Sequence, residues 1–463
     1  MSTSNTKKMK YTLLNICCTI SAIFLCISCE DFLDAELNKS LSTKETIFAS
    51  DEGATSAMFS VYYDMMSYSK LSGYPEGLFD MAGVGADNLH YYPESGSLYE
   101  FETHNIDPEN THVSALWNLM YNLIYQVNAI IEGVNASGSI SADTKDQLLG
   151  EAKFMRAYFY FYLTELFGDV PLITSTDYNE NTSTPRTPRE EIDQRILEDL
   201  SEALGHLGDD YITSGRIRPN KACAQAMLAR VYLFRKDWEN AEQKATEVIE
   251  NPAYHISPVD EAFLKDSEET IWQLKPVIPT YGTPEGYNYI LTATPRNTVL
   301  TEALIRSFEE NDLRLHHWIG TFTGDTGTFY YPYKYKVRTK GDTEEWIEYS
   351  KVFRLSEQYL IRAEARVQLG KLDEARADLN VVRNRAEIGK TGEQEPLDLL
   401  ASIAVERRHE LFAEWGHRWL DIKRELSPSG VLTDPDKKLW PIPQDEFYRN
   451  PGLGDQNPGY PLY

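Results

Sequence analysis

Apolar residues that recur at helical spacing limit the fold of this chain more than any other feature of its sequence. One such face, near the start of the chain, comprises Ala54, Met58, Val61 and Tyr62. A longer one comprises Leu116, Leu119, Met120, Leu123, Ile124, Val127, Ile130 and Ile131. Gly133 is suited to end this second helix, and a third helix over 151–162 stops at Gly168 and Pro171, which both disfavour helical backbone. The periodicity predicts a mainly α-helical protein.

Two stretches of the sequence resemble each other and also tetratricopeptide helix-turn-helix units. Each pairs an apolar helix with a second helix across a short turn, and the pairs lie near 222–251 and 355–386. In such units a small residue after the turn, here Ala241 and Ala375, lets the two helices pack closely. A long segment separates the pairs, so they do not form a simple tandem array.

The segment 276–338, between the two helix pairs, has a different composition. It carries Gly, Pro and Thr turns, and eleven aromatic residues lie between Tyr281 and Tyr335. Long irregular insertions on a helical scaffold are common places for binding surfaces. Just before the insertion, Thr270–Leu274 is predicted to be a buried strand, which assigns Trp272 to the core.

The first residues are typical of a bacterial export signal. Lys7, Lys8 and Lys10 precede an apolar stretch over 11–28, which is shorter than the roughly 20 residues of a spanning helix. The last four residues of the signal region, Cys26–Cys29, resemble the lipobox of bacterial lipoproteins, in which the last cysteine is acylated. We therefore expect a lipoprotein signal peptide over 1–28, with Cys29 as the lipid-bearing start of the mature protein. The alternative is an ordinary signal peptide that is cut elsewhere.

Composition and motifs argue against several classes of function. If Cys29 carries lipid, Cys223 is the one cysteine left in the mature chain, and its alanine-rich surroundings predict a packed helix rather than a nucleophile. A formal net charge of −26 disfavours nucleic acid as a partner. Catalytic motifs, metal-ligand spacing of the histidines and phosphate-binding glycine loops are all absent from the sequence. We expect no enzyme activity, no metal and no cofactor.

Several segments in order resemble the SusD/RagB family of outer-membrane nutrient-uptake lipoproteins of the Bacteroidetes. The matching segments are Cys29–Asp34, Glu151–Ala157, Phe167–Leu172, Arg216–Ala222, Glu406–Asp421, Leu439–Pro443 and Asn450–Tyr460. The proline that often follows the lipidated cysteine in the family is missing here. The resemblance covers essentially the whole mature chain, 29–463, as a single SusD-like domain.

This resemblance implies a fold and a function. The fold is a mainly α-helical SusD-like scaffold with tetratricopeptide-like helix pairs and a loop-rich ligand-binding portion. The protein is expected at the cell surface, anchored by lipid to the outer membrane, as the lid of a SusC-like TonB-dependent transporter. It captures an oligosaccharide, or in some members a peptide as in RagB, and delivers it for import without chemistry of its own.

Candidate ligand contacts combine aromatic faces with polar side chains, as sugars require. The first group, Asp87, Asn88, Tyr91 and Tyr92, lies in a Gly/Ser-rich loop whose counterpart lines the ligand site in family members. The second group lies in the insertion and comprises Tyr287, Tyr289, Arg296 and Trp318. For each residue, core packing or contact with the transporter is an open alternative.

The segment from Glu406 to Asp421 is the most highly charged. Phe412, Trp415, Trp419 and Ile422 recur at helical spacing, which predicts the buried stripe of one late helix. Its arginines and carboxylates can then pair along and across that helix, a structural rather than catalytic role.

A protein-binding scaffold and a surface glycosidase are further alternatives for the whole chain. The first predicts tandem repeats, and the second needs a carboxylate pair that one sequence does not single out.

Overall fold

The computed structural model describes residues 44–67, 69–341, 344–426 and 430–462. The predicted signal peptide over 1–28 and the lipid attachment at Cys29 lie outside the described residues. The chain divides into two units at Ile47, and of the first unit only the short helix Lys44–Ile47 is described.

The predicted mainly α-helical fold is confirmed. The helices are α1 (Lys44–Ile47), α2 (Asp51–Met66), α3 (Leu78–Val84), α4 (Tyr99–Glu102), α5 (Thr111–Ala136), α6 (Ala142–Phe167), α7 (Tyr178–Asn181), α8 (Arg189–His206), α9 (Lys221–Phe234), α10 (Trp238–Ile249), α11 (Pro284–Tyr289), α12 (Glu302–Ser307), α13 (Leu313–His317), α14 (Leu355–Gln368), α15 (Leu372–Arg385), α16 (Pro396–Leu411), α17 (His417–Lys423) and α18 (Gln444–Arg449). Within the described ranges, every helix is too short or too polar to span a bilayer.

The strands are short and pair two by two. They are β1 (Leu89–Tyr91), β2 (Val170–Pro171), β3 (Arg186–Thr187), β4 (Thr270–Leu274), β5 (Thr298–Leu300), β6 (Ile319–Gly324), β7 (Gly327–Pro332) and β8 (Ser350–Arg354). The antiparallel pairs are β1 with β5, β2 with β3, β4 with β8, and β6 with β7. Strand β4 is buried throughout, as predicted, and Trp272 lies in the core.

Capping residues explain where α5 begins and where α6 ends, but α5 does not end at the glycine predicted to stop it. The Asn110 side chain accepts hydrogen bonds from the backbone of His112 and Val113 and so caps α5. Helix α6 ends at Gly168, whose φ of 74° suits glycine, as predicted. Helix α5, however, continues past Gly133. A Cβ at that glycine would lie 2.1 Å from the Phe48 ring, so the glycine permits close packing rather than ending the helix.

The two tetratricopeptide-like pairs are the helical hairpins α9–α10 and α14–α15. They are distant in sequence, yet helix α10 packs directly against helix α14. The core between them is made of small and branched side chains, namely Ala229, Leu233, Ala241, Ala245, Ile361 and Ala365. A second core joins α14 and α15 to α16 through residues such as Leu379 and Ile403. The pairs are therefore neighbours in one helical stack, although they are not tandem in the chain.

The late charged segment differs from its prediction. Helix α16 ends at Leu411 and α17 begins at His417, so the segment is not one helix. Between them Ala413, Trp415 and Gly416 have φ values of 53°, 44° and 71°, which an α-helix does not accommodate. The four apolar side chains predicted to be buried are nevertheless in the core.

Buried ion pairs tie this segment to the strands and to the insertion. Arg354 on β8 contacts Glu269 and Glu410 at 2.7 Å and Glu414 at 2.9 Å, and all four side chains are buried. Arg314 of the insertion contacts Glu410 at 3.2 Å. Burial alone would lower the pKa of Arg354, but the surrounding carboxylates raise it well above its usual value. The arginine–carboxylate pairs thus reach between elements rather than only along one helix, and they fix the geometry of the packing.

Candidate functional site

The two segments singled out in the sequence meet in the structure. Strand β1 follows the Gly-rich loop, strand β5 lies in the insertion, and they pair with Leu89 opposite Leu300 and Tyr91 opposite Thr298. Because of this pairing, the residues on either side of β1 lie next to the insertion. The predicted loop-rich insertion therefore holds short helices and strands, and these give it a defined surface.

A buried carboxylate that the sequence analysis missed holds this junction together. Asp80 on α3 accepts hydrogen bonds from Asn288 at 3.0 Å, from Thr298 at 3.1 Å and from the backbone of Glu76 at 2.8 Å. Burial raises the pKa of Asp80, and these hydrogen bonds oppose the rise. A charged residue in the otherwise apolar helix Leu78–Val84 was the available signal, because a buried charge must find partners.

A cavity of about 440 Å³ opens on one side of the β1–β5 pair. We call it the Tyr92 cavity; it is lined by His90, Tyr92, Glu102, Val299, Leu300, Thr301, Glu302, Thr328, Phe329 and Tyr330. The rings of Tyr92 and Phe329 meet edge to face, with centroids 5.5 Å apart at 87°. Thr328, Phe329 and Tyr330 belong to the β6–β7 hairpin, whose alternating aromatic and threonine residues were a usable signal. Both predicted segments therefore contribute to one concave surface.

Polar groups of the Tyr92 cavity are already positioned by the protein. Nδ1 of His90 and Oε1 of Glu102 are 2.7 Å apart, and the backbone N–H of Tyr91 donates to the other oxygen of Glu102 at 2.9 Å. Glu302 forms an ion pair with Arg306. The cavity thus offers aromatic faces beside fixed hydrogen-bonding groups, a combination that suits the apolar C–H faces and the hydroxyls of a sugar.

A second aromatic group lies on the other face of β1. Successive side chains of a strand alternate, so Tyr91 points away from His90 and Tyr92. Burial raises the pKa of Tyr91, and the charges of Glu76 and Asp80 raise it further, which places its phenol near the α3 side of the junction.

We call Tyr74, Tyr281 and Tyr287 on that side the tyrosine cluster. Tyr287 stacks on Tyr281 with centroids 3.7 Å apart, and it lies 6.3 Å from Tyr74. The guanidinium of Arg338 lies 5.0 Å from the centre of the Tyr287 ring. The three rings of the cluster are half-buried.

Two of the predicted contacts have structural roles. Asp87 pairs with Arg418 at 3.0 Å and with Arg408 at 3.2 Å. Asn88 is buried, and its side-chain oxygen accepts from Arg408 at 2.8 Å. These bonds attach the loop before β1 to α16 and α17, so their first effect is to hold the Tyr92 cavity in place.

Two more predicted contacts, Trp318 and Tyr289, lie in the interior. Trp318 is 1% exposed, its indole N–H donates to the backbone oxygen of Val259 at 2.8 Å, and its ring packs on Phe263. Tyr289 is 2% exposed. Neither ring presents a face to solvent in this conformation, so both belong to the core of the insertion. Arg296 is exposed but does not line the Tyr92 cavity.

The described residues include no group of three or more His, Cys, Asp and Glu side chains placed to hold a metal ion. Cys223 is buried on α9, and burial raises the pKa of its thiol to about 12, which keeps the sulfur protonated and unreactive.

Comparison with known proteins agrees with this architecture. A family model described as "Starch-binding associating with outer membrane" matches residues 31–233, and a second, described as "SusD family", matches residues 320–431. Among curated proteins, SusD-like protein P2 of Formosa agariphila is 26% identical over 82% of this chain and 86% of its own length. SusD-like protein P25 of the same organism is 25% identical over 95% of this chain and 97% of its own length.

Solved structures share the fold over nearly their full length. A SusD superfamily protein from Bacteroides vulgatus has a TM-score of 0.77 at 19% identity and covers 89% of this chain and 99% of its own. A structure described as a laminarin binding SusD-like protein has a TM-score of 0.73 at 24% identity, over 88% of this chain and 99% of its own.

Proposed function

Because the chain belongs to the SusD/RagB family, we propose that it is a cell-surface glycan-binding lipoprotein that captures an oligosaccharide at the Tyr92 cavity. The observation that carries this proposal is the meeting of the two predicted segments around a cavity with aromatic walls and fixed polar groups. One structural neighbour is described as laminarin binding and another, from Bacteroides fragilis, as a carbohydrate binding protein, which supports a glycan as the ligand class.

The tyrosine cluster extends this surface in the proposed complex. Tyr281 and Tyr287 offer half-buried rings beside Arg338, whose guanidinium can donate to sugar oxygens. Of the predicted contacts, Tyr91, Tyr92 and Tyr287 remain candidates at this junction, and Arg296 remains one because it is exposed. A chain of several sugar rings could then contact both faces of β1 in turn.

A role in binding rather than catalysis fits the carboxylates of the cavity. Glu102 is engaged by His90 and by the backbone of Tyr91, and Glu302 is engaged by Arg306. Glycoside hydrolysis needs one protonated and one ionised carboxyl group facing the scissile bond. Side chains held in these bonds are instead arranged to accept hydrogen bonds from a bound hydroxyl.

We further propose that the protein is anchored through Cys29 to the outer membrane and acts as the lid of a SusC-like TonB-dependent transporter. The family description, which names association with the outer membrane, supports the location. Replacing Cys29 by serine should release the protein from the outer-membrane fraction. Affinity purification of the tagged wild-type protein from native membranes should recover a TonB-dependent barrel; recovery of the lipoprotein alone would contradict the lid role.

Binding can be tested by calorimetric titration of the chain from Glu30, which retains every described residue. The titrants are neutral oligosaccharides (laminarihexaose, maltohexaose, xylohexaose) and mixed peptides. Tyr92→Ala and Phe329→Ala should each weaken glycan binding by up to about tenfold, since one stacking face contributes about 0.5–1.5 kcal/mol. Tyr63→Ala is the matched control, because Tyr63 is exposed and lines neither the Tyr92 cavity nor the tyrosine cluster. Binding of peptides alone would replace the ligand class, and unchanged glycan affinity in both variants would refute the site.

A further inference from the structure

A second cleft, of about 580 Å³, lies where the C-terminal segment crosses helix α5. We call it the C-terminal cleft; it is lined by Trp117, Asn118, Tyr121, Tyr125, Pro171, Ile173, Tyr178, Asn181, Thr182, Glu446, Arg449, Asn450 and Leu453. None of these residues lines the Tyr92 cavity. We propose that this cleft is a second saccharide-binding site, separate from the first.

The floor of the cleft is aromatic and rigid. Tyr121 is the part-buried ring of the floor. Behind it lies Trp117, which is 2% exposed and whose ring is 4.9 Å from Tyr121 and 5.0 Å from Phe167. The hydroxyl of Tyr121 donates to the backbone oxygen of Pro171 at 2.9 Å, which fixes its ring. Because these side chains are held by the fold, a ligand would meet them without an ordering cost.

The walls of the cleft expose large rings to solvent. Tyr125 is 51% exposed and Tyr178 is 77% exposed, and both border the same concave surface. Asp177 accepts a hydrogen bond from the backbone of Asn179, and this cap holds the short helix that carries Tyr178. Single exposed apolar side chains are common, but two tyrosines around an aromatic floor form a surface suited to stacking.

The rim supplies hydrogen-bonding groups with little net charge. Nη1 of Arg449 contacts Glu446 at 2.5 Å and Asn118 at 3.4 Å. The Arg449 side chain is 58% exposed and lines the cleft, so its guanidinium is accessible to a bound ligand. The Arg449–Glu446 pair balances its own charge, which favours a neutral ligand over an anion or a cation.

These features together favour a sugar. A lipid chain would need a wholly apolar lining, whereas the rim here is polar. A phosphate or sulfate would need cations without a carboxylate partner. A pyranose ring has an apolar C–H face for the tyrosines and equatorial hydroxyls for Arg449, Asn118 and Asn450. The size of the cleft lies within the range of ordinary ligand sites, about 300–1,000 Å³. With two sites on one lid, a polymer could be held at one site while its end enters the other.

Crystals of the chain from Glu30 would be soaked at millimolar concentration with laminarihexaose, maltohexaose, xylohexaose, cellohexaose and mannohexaose. Calorimetry with the same sugars would be repeated on Tyr125→Ala/Tyr178→Ala, on Tyr92→Ala/Phe329→Ala and on the variant that combines these four substitutions. The control is Tyr63→Ala, because Tyr63 is exposed and lines neither site. We expect a sugar ring stacked in the C-terminal cleft. We also expect a loss of affinity of about tenfold in the Tyr125→Ala/Tyr178→Ala variant, measured where the Tyr92 cavity has been disabled.

These experiments distinguish refutation of the primary site from refutation of the second site. Sugar in the C-terminal cleft without any effect of Tyr92→Ala/Phe329→Ala would refute the primary site and leave the second standing. An empty cleft with all five sugars, with unchanged affinity in Tyr125→Ala/Tyr178→Ala, would overturn the inference. Occupation of the cleft by a polypeptide segment instead of sugar would overturn it as well. Thermal unfolding of each variant shows whether a lost affinity reflects a lost fold.

Discussion

Glu285 provides a test of the packing beneath the tyrosine cluster. It lies in the first turn of α11, is 2% exposed, and accepts a hydrogen bond from the hydroxyl of Ser350 at 2.8 Å. Its second oxygen has no hydrogen-bond partner among the described residues. Burial, the largest effect, raises the pKa of this carboxyl from its ordinary value of 4.5 to about 7. The side chain is therefore neutral below that pH and becomes a buried charge above it.

The effect on stability follows from this raised pKa. An acid whose pKa is higher in the folded than in the unfolded chain stabilises the fold fully below the unfolded pKa, and this contribution is lost as the pH rises through the folded value. Since one pKa unit corresponds to about 1.4 kcal/mol, the full loss is about 3 kcal/mol above pH 7. Between about pH 5 and about pH 8.5 the change is about 2.5 kcal/mol.

Glu285→Gln removes the titration but keeps an oxygen that accepts from Ser350. The free energy of unfolding of this variant, relative to wild type, should therefore rise by about 2.5 kcal/mol between about pH 5 and about pH 8.5. Guanidinium unfolding followed by tryptophan fluorescence at both pH values measures it. The exposed Glu374→Gln is the control. A difference that stays constant with pH, or falls, would show that Glu285 is ionised in the fold and that the argument is wrong.

Three further results are expected. Arg354→Ala removes one cation from a buried network in which Glu269 and Glu410 keep Arg385 and Glu414 keeps Lys334, so one negative charge is left uncompensated. It should lower the free energy of unfolding by about 3–5 kcal/mol, measured by denaturant titration. Trp318→Ala should cost about 3–5 kcal/mol of stability through loss of core packing, yet leave calorimetric glycan affinity unchanged. Reduced affinity in a folded Trp318→Ala protein would restore this residue to the site. Cys223 should resist a thiol reagent in the native protein and react only on unfolding; rapid native labelling would contradict its burial.

Much of the helical scaffold could be predicted, because its signals are local. The end of α6 at Gly168 needs only a residue that tolerates a positive φ, and the apolar face of α5 is visible as a periodicity. The same local reasoning failed at Gly133, where the constraint is the Phe48 ring from a distant part of the chain. It also failed at Trp415, whose positive φ breaks an apparently continuous helical pattern.

The candidate site was predictable only in outline. Aromatic residues in a segment rich in turns led to the prediction of a ligand surface there, and the segment around Tyr92 meets the insertion at one cavity. Which rings face solvent was not predictable, because exposure depends on contacts between distant residues. Trp318 is covered by Phe263 and bonded to Val259, and neither contact has a sequence signature. The sequence analysis did not single out the C-terminal cleft, because its lining comes from segments that are far apart in the chain.

The packing of α10 against α14 encloses a long segment of the chain between two helices of the scaffold. This interface joins residues on either side of the segment between Ile249 and Leu355, so it can form only after the whole of that segment has been synthesised. The closed interface in turn tolerates variation in what it encloses, since each doubling of a connecting loop costs only about 0.6 kcal/mol. The enclosed part can therefore be lengthened, shortened or replaced in evolution while the helices that support it keep the same partners.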